Sequence, residues 1–214
     1  NKIEIIENGI NLEKMKSDVD FKKKYAINHD YFLFLGRFHK VKGIDTLLKA
    51  MQLIKNHSLM SSVKLGIMGV NFGFEEEMLK MIKEMNLNDV VKVIKNPPRK
   101  DVIAAYKESE FLVLPSRWEL SPLTPLEGFA FKKTVISSKT HGIPYTLKDE
   151  ENCLLIEPNN PELLAISITE LLDDVKKCAR LGKTGFDFVK NIGNSENMAK
   201  NTLDVYKEVL KTQI

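Results

Sequence analysis

The sequence predicts an α/β protein built on an open parallel sheet of about six strands with helices on both faces. Two observations carry that expectation. Short apolar runs alternate with amphipathic segments of helical period, the pattern of strand–helix units whose sheet is covered on both sides. The early runs also close on glycine or proline, where strand-to-helix turns belong.

The elements follow in order. Tyr31 to Leu35 is an apolar run closed by Gly36 and predicts the first strand. Ile44, Leu47, Leu48, Met51 and Ile54 then fall on one helical face. Val63 to Met68, closed by Gly69, predicts the second strand. The helix after it carries Met78, Leu79, Met81, Ile82 and Met85 and is led by Glu75, Glu76 and Glu77; acids suit the positive end of a helix dipole. Val90 to Ile94 predicts the third strand, stopped by Pro97-Pro98 and followed by a helix with Val102, Ile103 and Tyr106. Phe111 to Leu114 is the fourth strand, with a loop and a helix to about Phe131 after it. Thr134 to Ser137 and Leu154 to Ile156 are the last strands, and two helices close the chain, around Pro161–Val175 and Asn197–Lys211. Parallel neighbours imply right-handed crossovers. The stretch before the first strand differs: Ile3-Glu4-Ile5-Ile6, Asn8-Gly9 and Lys22-Lys23-Lys24 read either as a lead-in from an upstream unit or as an ordinary surface helix.

Composition narrows the function. The 214 residues are 43% hydrophobic, ordinary for a soluble domain, and the longest apolar runs are too short to span a bilayer. A net charge of +3 excludes a strongly cationic nucleic-acid binder but leaves room for a local basic pocket. Cys153 and Cys178 match no metal-ligand spacing, and the four histidines form no metal pair, so no metal or cofactor is expected.

Chemistry concentrates in three turns. Glu119 and Glu127 lie in Pro115-Ser116-Arg117-Trp118-Glu119 and the run that follows, across a strand-to-helix turn. Such turns at the carboxyl ends of parallel strands line the crevice where open sheets bind ligands. Thr124-Pro125-Leu126-Glu127 is equally a capping box, and Glu119 equally a solvated loop acid. Gly36-Arg37-Phe38-His39-Lys40-Val41-Lys42-Gly43 offers a guanidinium fork and an ammonium suited to phosphate oxygens before a helix start. Basic residues in such a loop are also plain surface charge. Gly69-Val70-Asn71-Phe72-Gly73 resembles a loose glycine-rich phosphate loop, though any strand-to-helix turn looks similar. Asp18-Val19-Asp20 spells an acidic metal triplet but lies outside any predicted strand end and reads as chance.

Taken in order, the three turns resemble the donor-binding half of the GT-B glycosyltransferases, family 4 in particular. Asn8-Gly9-Ile10-Asn11 is similar to the family's NGID-type interdomain segment. Thr134 to Ser138 with His141-Gly142-Ile143-Pro144 resembles its PVI-S-x-GGIPE stretch. Glu151 to Pro158 with Asn160-Pro161-Glu162 resembles ENGLLVPPGDPE. The likeness covers about residues 6 to 175. It implies a Rossmann-like half of a GT-B fold and a retaining enzyme. The donor implied is a nucleotide diphosphate sugar, UDP- or GDP-linked.

Position by position, the resemblance implies that Arg37 and Lys42, with Gly36 at the turn, hold the diphosphate. It places Glu119 against the donor sugar and Glu127 against the ribose hydroxyls. The amides of Leu123 and Thr124 would face phosphate, and Ile94, Lys95 and Asn96 would border the base. Leu120-Ser121-Pro122 replaces the family's glycine-containing turn, Tyr145 its glutamate and Thr140 a glycine, which bears on donor identity more than on fold. Trp118 reads as packing or as a sugar platform, and His39 and His141 as rim residues. The implied organisation is a lead-in over 1–25, a nucleotide-sugar domain over 26–195 and a helix over 196–214 that returns to a missing N-terminal acceptor domain. The implied setting is cytoplasmic, with peripheral membrane contact of the longer protein and no nucleic-acid partner. Without that domain the chain is expected to bind donor weakly and not to transfer sugar. Two alternatives remain open: a non-catalytic nucleotide-binding module, and a glycogen- or sucrose-phosphate-synthase-like half. A dehydrogenase domain is disfavoured, since the first turn lacks GxGxxG.

Overall fold

Six apolar runs lie side by side in a single sheet. The computed structural model describes residues 3–211. Its strands are β1 (Asp30–Leu35), β2 (Val63–Gly69), β3 (Val91–Lys95), β4 (Leu112–Leu114), β5 (Val135–Ser138) and β6 (Cys153–Ile156). All are parallel, in the order β3-β2-β1-β4-β5-β6. The chain builds outward from β1 to β3, then returns to start the other half-sheet at β4. The loops after β1 and β4 therefore leave in opposite directions and open a crevice between them.

Side chains alternate across the sheet, so each strand feeds two cores. Phe32, Phe34, Leu65, Ile67 and Ile136 meet α2 (Ile44–Ile54), α3 (Glu75–Glu84) and α7 (Pro161–Asp173) on one face. Tyr31, Leu33, Leu112 and Val135 meet α4 (Arg99–Glu108), α5 (Leu123–Phe129) and the short α6 (Ile143–Thr146) on the other. The Tyr31 hydroxyl, buried there, donates to the Ala105 carbonyl at 2.9 Å.

The lead-in packs onto the second face. Phe21 opens the short helix α1 (Phe21–Lys24) and is fully buried, with Ile10 and Met15 also in that core. The Glu108 carboxylate at the end of α4 accepts the Phe21 and Lys22 amides at 2.9 and 3.0 Å. Asp20 caps α1 through the Lys23 amide, and Asp18 faces Lys100, so the acidic triplet has structural partners. Among the described residues no cluster of His, Cys, Asp or Glu has the grouping of a metal site. Among the described residues, no helix is long and apolar enough to cross a membrane.

Three helices, not two, follow β6. Between α7 and the last helix α9 (Ser195–Lys211) runs α8 (Val175–Asn191). Its lysines and two glycines hide it in the sequence, yet the glycines are what let it pack. A β-carbon on Gly182 would sit 2.0 Å from the Lys132 carbonyl oxygen, and one on Gly185 would sit 2.2 Å from the Phe129 ring. Ser195 donates its amide to the Ile10 carbonyl at 2.9 Å, which ties the start of α9 to the lead-in. Beyond that, α9 buries none of its residues, and Leu203, Tyr206 and Leu210 are exposed. The expected spans 1–25 and 196–214 reach past the described residues at Asn1–Lys2 and Thr212–Ile214.

Candidate functional site

Close backbone approaches assemble the crevice. The loops after β1 and β2 touch: a β-carbon on Gly69 would lie 1.8 Å from the Gly36 carbonyl oxygen. Phe38 donates to the Val70 carbonyl at 2.7 Å and accepts the Phe72 and Phe74 amides. Asn71 caps the Gly73 and Glu75 amides at 2.9 and 3.2 Å. Two amides of the glycine-rich loop, those of Phe72 and Gly73, are thus bonded within the protein. His39 accepts the Val41 amide and opens a 3-10 turn over Lys40–Lys42. Gly43 then turns with φ of 68°, and a β-carbon there would sit 2.0 Å from the Pro115 carbonyl oxygen. Glycine at this position lets the β1 loop lie directly on the β4 loop.

That contact brings Lys42 to Glu119. The Lys42 ammonium donates to Glu119 Oε1, which also accepts from the Ser116 hydroxyl at 3.0 Å. Glu119 is only 8% exposed, so it is not a solvated loop acid. Its carbonyl accepts the Gly142 amide at 3.0 Å, which anchors the loop after β5 beside it.

Glu127 sits on α5 and faces α4. Arg99 donates to its Oε1 at 2.5 Å and the Tyr106 hydroxyl to its Oε2 at 2.8 Å. Burial, then the adjacent Glu127 charge, raises the Tyr106 phenol well above its ordinary value. Tyr106 therefore stays a neutral donor to the carboxylate. The capping-box alternative fails: α5 begins at Leu123 behind Pro122, and no side chain caps it.

The other expected site residues are distributed around this pair. Arg37 is exposed and lies over the Phe72 ring at 5.2 Å, in contact with neither glutamate. Leu123 and Thr124 open α5 as expected, although α5 spans only seven residues. Ile94 turns its side chain into the core, so only its backbone is on offer at the β3 end. Lys95 pairs with Glu75 at 2.9 Å, and Asn96 adopts φ of 50° just beyond. Asp45, in the first turn of α2, holds the Arg117 guanidinium at 2.7 Å. Trp118 is exposed, with its ring edge-on to His141 at 5.7 Å, so packing accounts for half of it at most.

Sequence reasoning missed the partners. Arg99, Tyr106, Ser116 and Arg117 carry no site role in the sequence reading, which places only Tyr106, on a helix face. Asn8 was read only as part of a linker, yet its side chain donates to Ser121 Oγ at 2.9 Å, inside the turn that replaces the glycines.

A family model described as "Glycosyl transferases group 1" matches residues 17–188. An uncharacterized glycosyltransferase of Methanocaldococcus jannaschii is 29% identical over 98% of this chain and 54% of its own length. A sucrose-phosphate synthase from Thermosynechococcus elongatus superposes with a TM-score of 0.85 at 27% identity, covering 98% of this chain and 53% of that one. Anabaena HepE, solved with UDP-glucose, superposes with a TM-score of 0.84 at 18% identity over 96% of this chain and 57% of its own. The chain thus spans about half the length of the relatives it matches.

Proposed function

We infer that this chain, which belongs to the glycosyl transferases group 1 family, is the donor-binding half of a GT-B enzyme. That enzyme would be a retaining, family 4 type, moving a sugar from a nucleotide diphosphate sugar to an acceptor. The observation that carries the reading is the Lys42–Glu119 contact at the point where β1 and β4 diverge. There a cation and an acid stand together, both largely buried. The ammonium suits a diphosphate, whose charge grows as the nucleotide leaves, and stabilising developing charge is usually the largest catalytic term. The carboxylate suits sugar hydroxyls, which it can accept two at a time. Glu127, held by Arg99 and Tyr106, presents a second carboxylate suited to the vicinal ribose hydroxyls. Arg37 supplies an exposed guanidinium free to swing onto phosphate. The amides of Leu123 and Thr124 add two donors at the start of α5, and Ile94, Lys95 and Asn96 border the base.

HepE, solved with UDP-glucose, has the same fold, which supports a uridine donor as the first to try. The likeness to sucrose-phosphate synthase favours a second reading, a synthase half, which donor profiling separates. Titration calorimetry with UDP- and GDP-linked sugars tests the assignment. Weak but saturable binding of one of them is expected, without turnover by these 214 residues alone, since transfer needs closure over an acceptor. No heat from any of them at millimolar concentration would overturn it.

A further inference from the structure

Glu119 lies on a loop, and loops do not hold a carboxylate in place by themselves. What holds it is Arg117, two residues earlier. Its guanidinium forks onto the Asp45 carboxylate with two bonds of 2.7 Å. Its Nε donates to Asn159 Oδ1 at 2.6 Å, and Nη1 donates to the Lys40 carbonyl as well. Its own amide donates to the Val41 carbonyl at 2.8 Å, and its carbonyl accepts the Thr140 hydroxyl at 3.0 Å. One residue of the β4 loop is therefore bonded to the loops after β1, β5 and β6. Lys40 and Val41 immediately precede Lys42. The hub thus reaches both members of the Lys42–Glu119 pair through one or two peptide units.

We propose that Arg117 is a positioning residue, which sets the register of the Lys42–Glu119 pair by clamping the four loops that carry the crevice; it rests on the donor-site reading of that pair. It touches neither glutamate of the site and acts only through its neighbours. The fork matters more than the charge. A lysine ammonium cannot make two parallel bonds to Asp45 and reach Asn159 and Lys40 together. Burial pushes the Asp45 carboxyl up, but the Arg117 fork outweighs it and leaves the group below the usual carboxylate value. The clamp is accordingly charged at neutral pH.

The test is competitive labelling of lysine amines with limiting acetylating reagent, read by mass spectrometry on the folded chain. Lys42 is shielded by its pairing, while Lys177, paired with Glu150 and Glu170 on α8, reports on the rest of the fold. In Arg117→Gln, labelling of Lys42 should rise roughly tenfold, the equivalent of one charge-assisted hydrogen bond, with Lys177 unchanged. Asp45→Asn should do the same, and Arg117→Lys should fail to restore protection. Lys42 staying protected in Asp45→Asn overturns the proposal, as does full rescue by Arg117→Lys or a parallel rise at Lys177. Should Arg117→Gln not fold, judged by circular dichroism, Asp45→Asn decides alone. Failure of the wild type to bind any nucleotide sugar would remove the donor reading and leave the labelling result standing.

Discussion

The two glutamates occupy differently built parts of the crevice. Glu119 stands on a loop, is almost fully buried, and is bonded to Lys42 and Ser116, which lie on loops themselves. Glu127 stands on a helix and is bonded to two residues of the facing helix, one buried and one exposed. A helix fixes its side chains by its own geometry. A loop must be fixed from outside, and the structure supplies that through Gly43, Gly142 and Arg117. The lesson is that the same carboxylate chemistry is kept in place by backbone regularity in one part and by cross-ties in the other.

Removing the ammonium should break that contrast most severely. Lys42→Ala leaves Glu119 buried without its counter-ion, and stability should fall by about 3 kcal/mol in urea denaturation. Replacing both partners, Lys42→Met with Glu119→Gln, should bring stability back to within about 1 kcal/mol of the wild type. A double variant no better than the single would mean that Lys42 matters for packing and not for charge.

Arg37 belongs to neither part, and its replacement separates binding from folding. Arg37→Ala should weaken nucleotide-sugar binding by about 1.5–3 kcal/mol, the scale of a charged hydrogen bond. Because Arg37 is exposed over Phe72, the melting temperature should stay put. Calorimetry and thermal melts run side by side check both halves of the statement.

Tyr106→Phe probes the helix-borne part. Glu127 loses one donor and keeps Arg99, so stability should drop by about 1 kcal/mol. An alkaline signature accompanies it. Burial and then Asp101 push the Tyr25 phenol up to about 12, and burial raises Tyr31 and Tyr106 as well. The folded chain keeps these protons while the unfolded chain releases them near pH 10, the ordinary phenol value. Their contribution is complete below pH 10 and is lost as pH rises through the folded values. Denaturation midpoints should therefore decline above pH 10, and less steeply in Tyr106→Phe.

These partners explain what could be read from the sequence and what could not. All six strands were legible because buried parallel strands are short apolar runs with clear stops. Glu119 and Glu127 were legible because both fall in one turn with a recognisable spacing. Their pairings were not: Lys42, itself named as a site residue, lies 77 residues from Glu119 and Arg99 lies 28 from Glu127, distances that only the sheet order closes. Tyr106 counted correctly as part of an apolar face, but periodicity does not reveal where its hydroxyl ends. The role of Arg117 is invisible in sequence because its partners lie on α2 and on three other loops. Helix α8 was hidden because glycine signals a turn in sequence, whereas at Gly182 and Gly185 it signals close packing against Phe129 and Lys132 at the end of α5 and just beyond it. The glycine-rich loop after β2 shows the converse: the Phe72 and Gly73 amides, open in the sequence, are bonded to Phe38 and Asn71 in the fold.

The smallest expected effect is the sharpest check on the comparison. The Arg99 side chain is 55% exposed although it lies 2.5 Å from Glu127. An exposed cation gains little from such a pair, because water screens it and the long side chain gives up entropy to hold one geometry. Arg99→Ala should therefore cost only a few tenths of a kcal/mol in stability. Glu127 would keep Tyr106, and its place on α5 would not change. Affinity for the nucleotide should fall slightly or rise, since the carboxylate would no longer have to leave Arg99 to accept ribose hydroxyls. A stability loss above about 1.5 kcal/mol would put Arg99 in the class of buried-pair partners. The helix-borne glutamate would then depend on a cross-tie as much as the loop-borne one does, and the difference between the two parts would vanish.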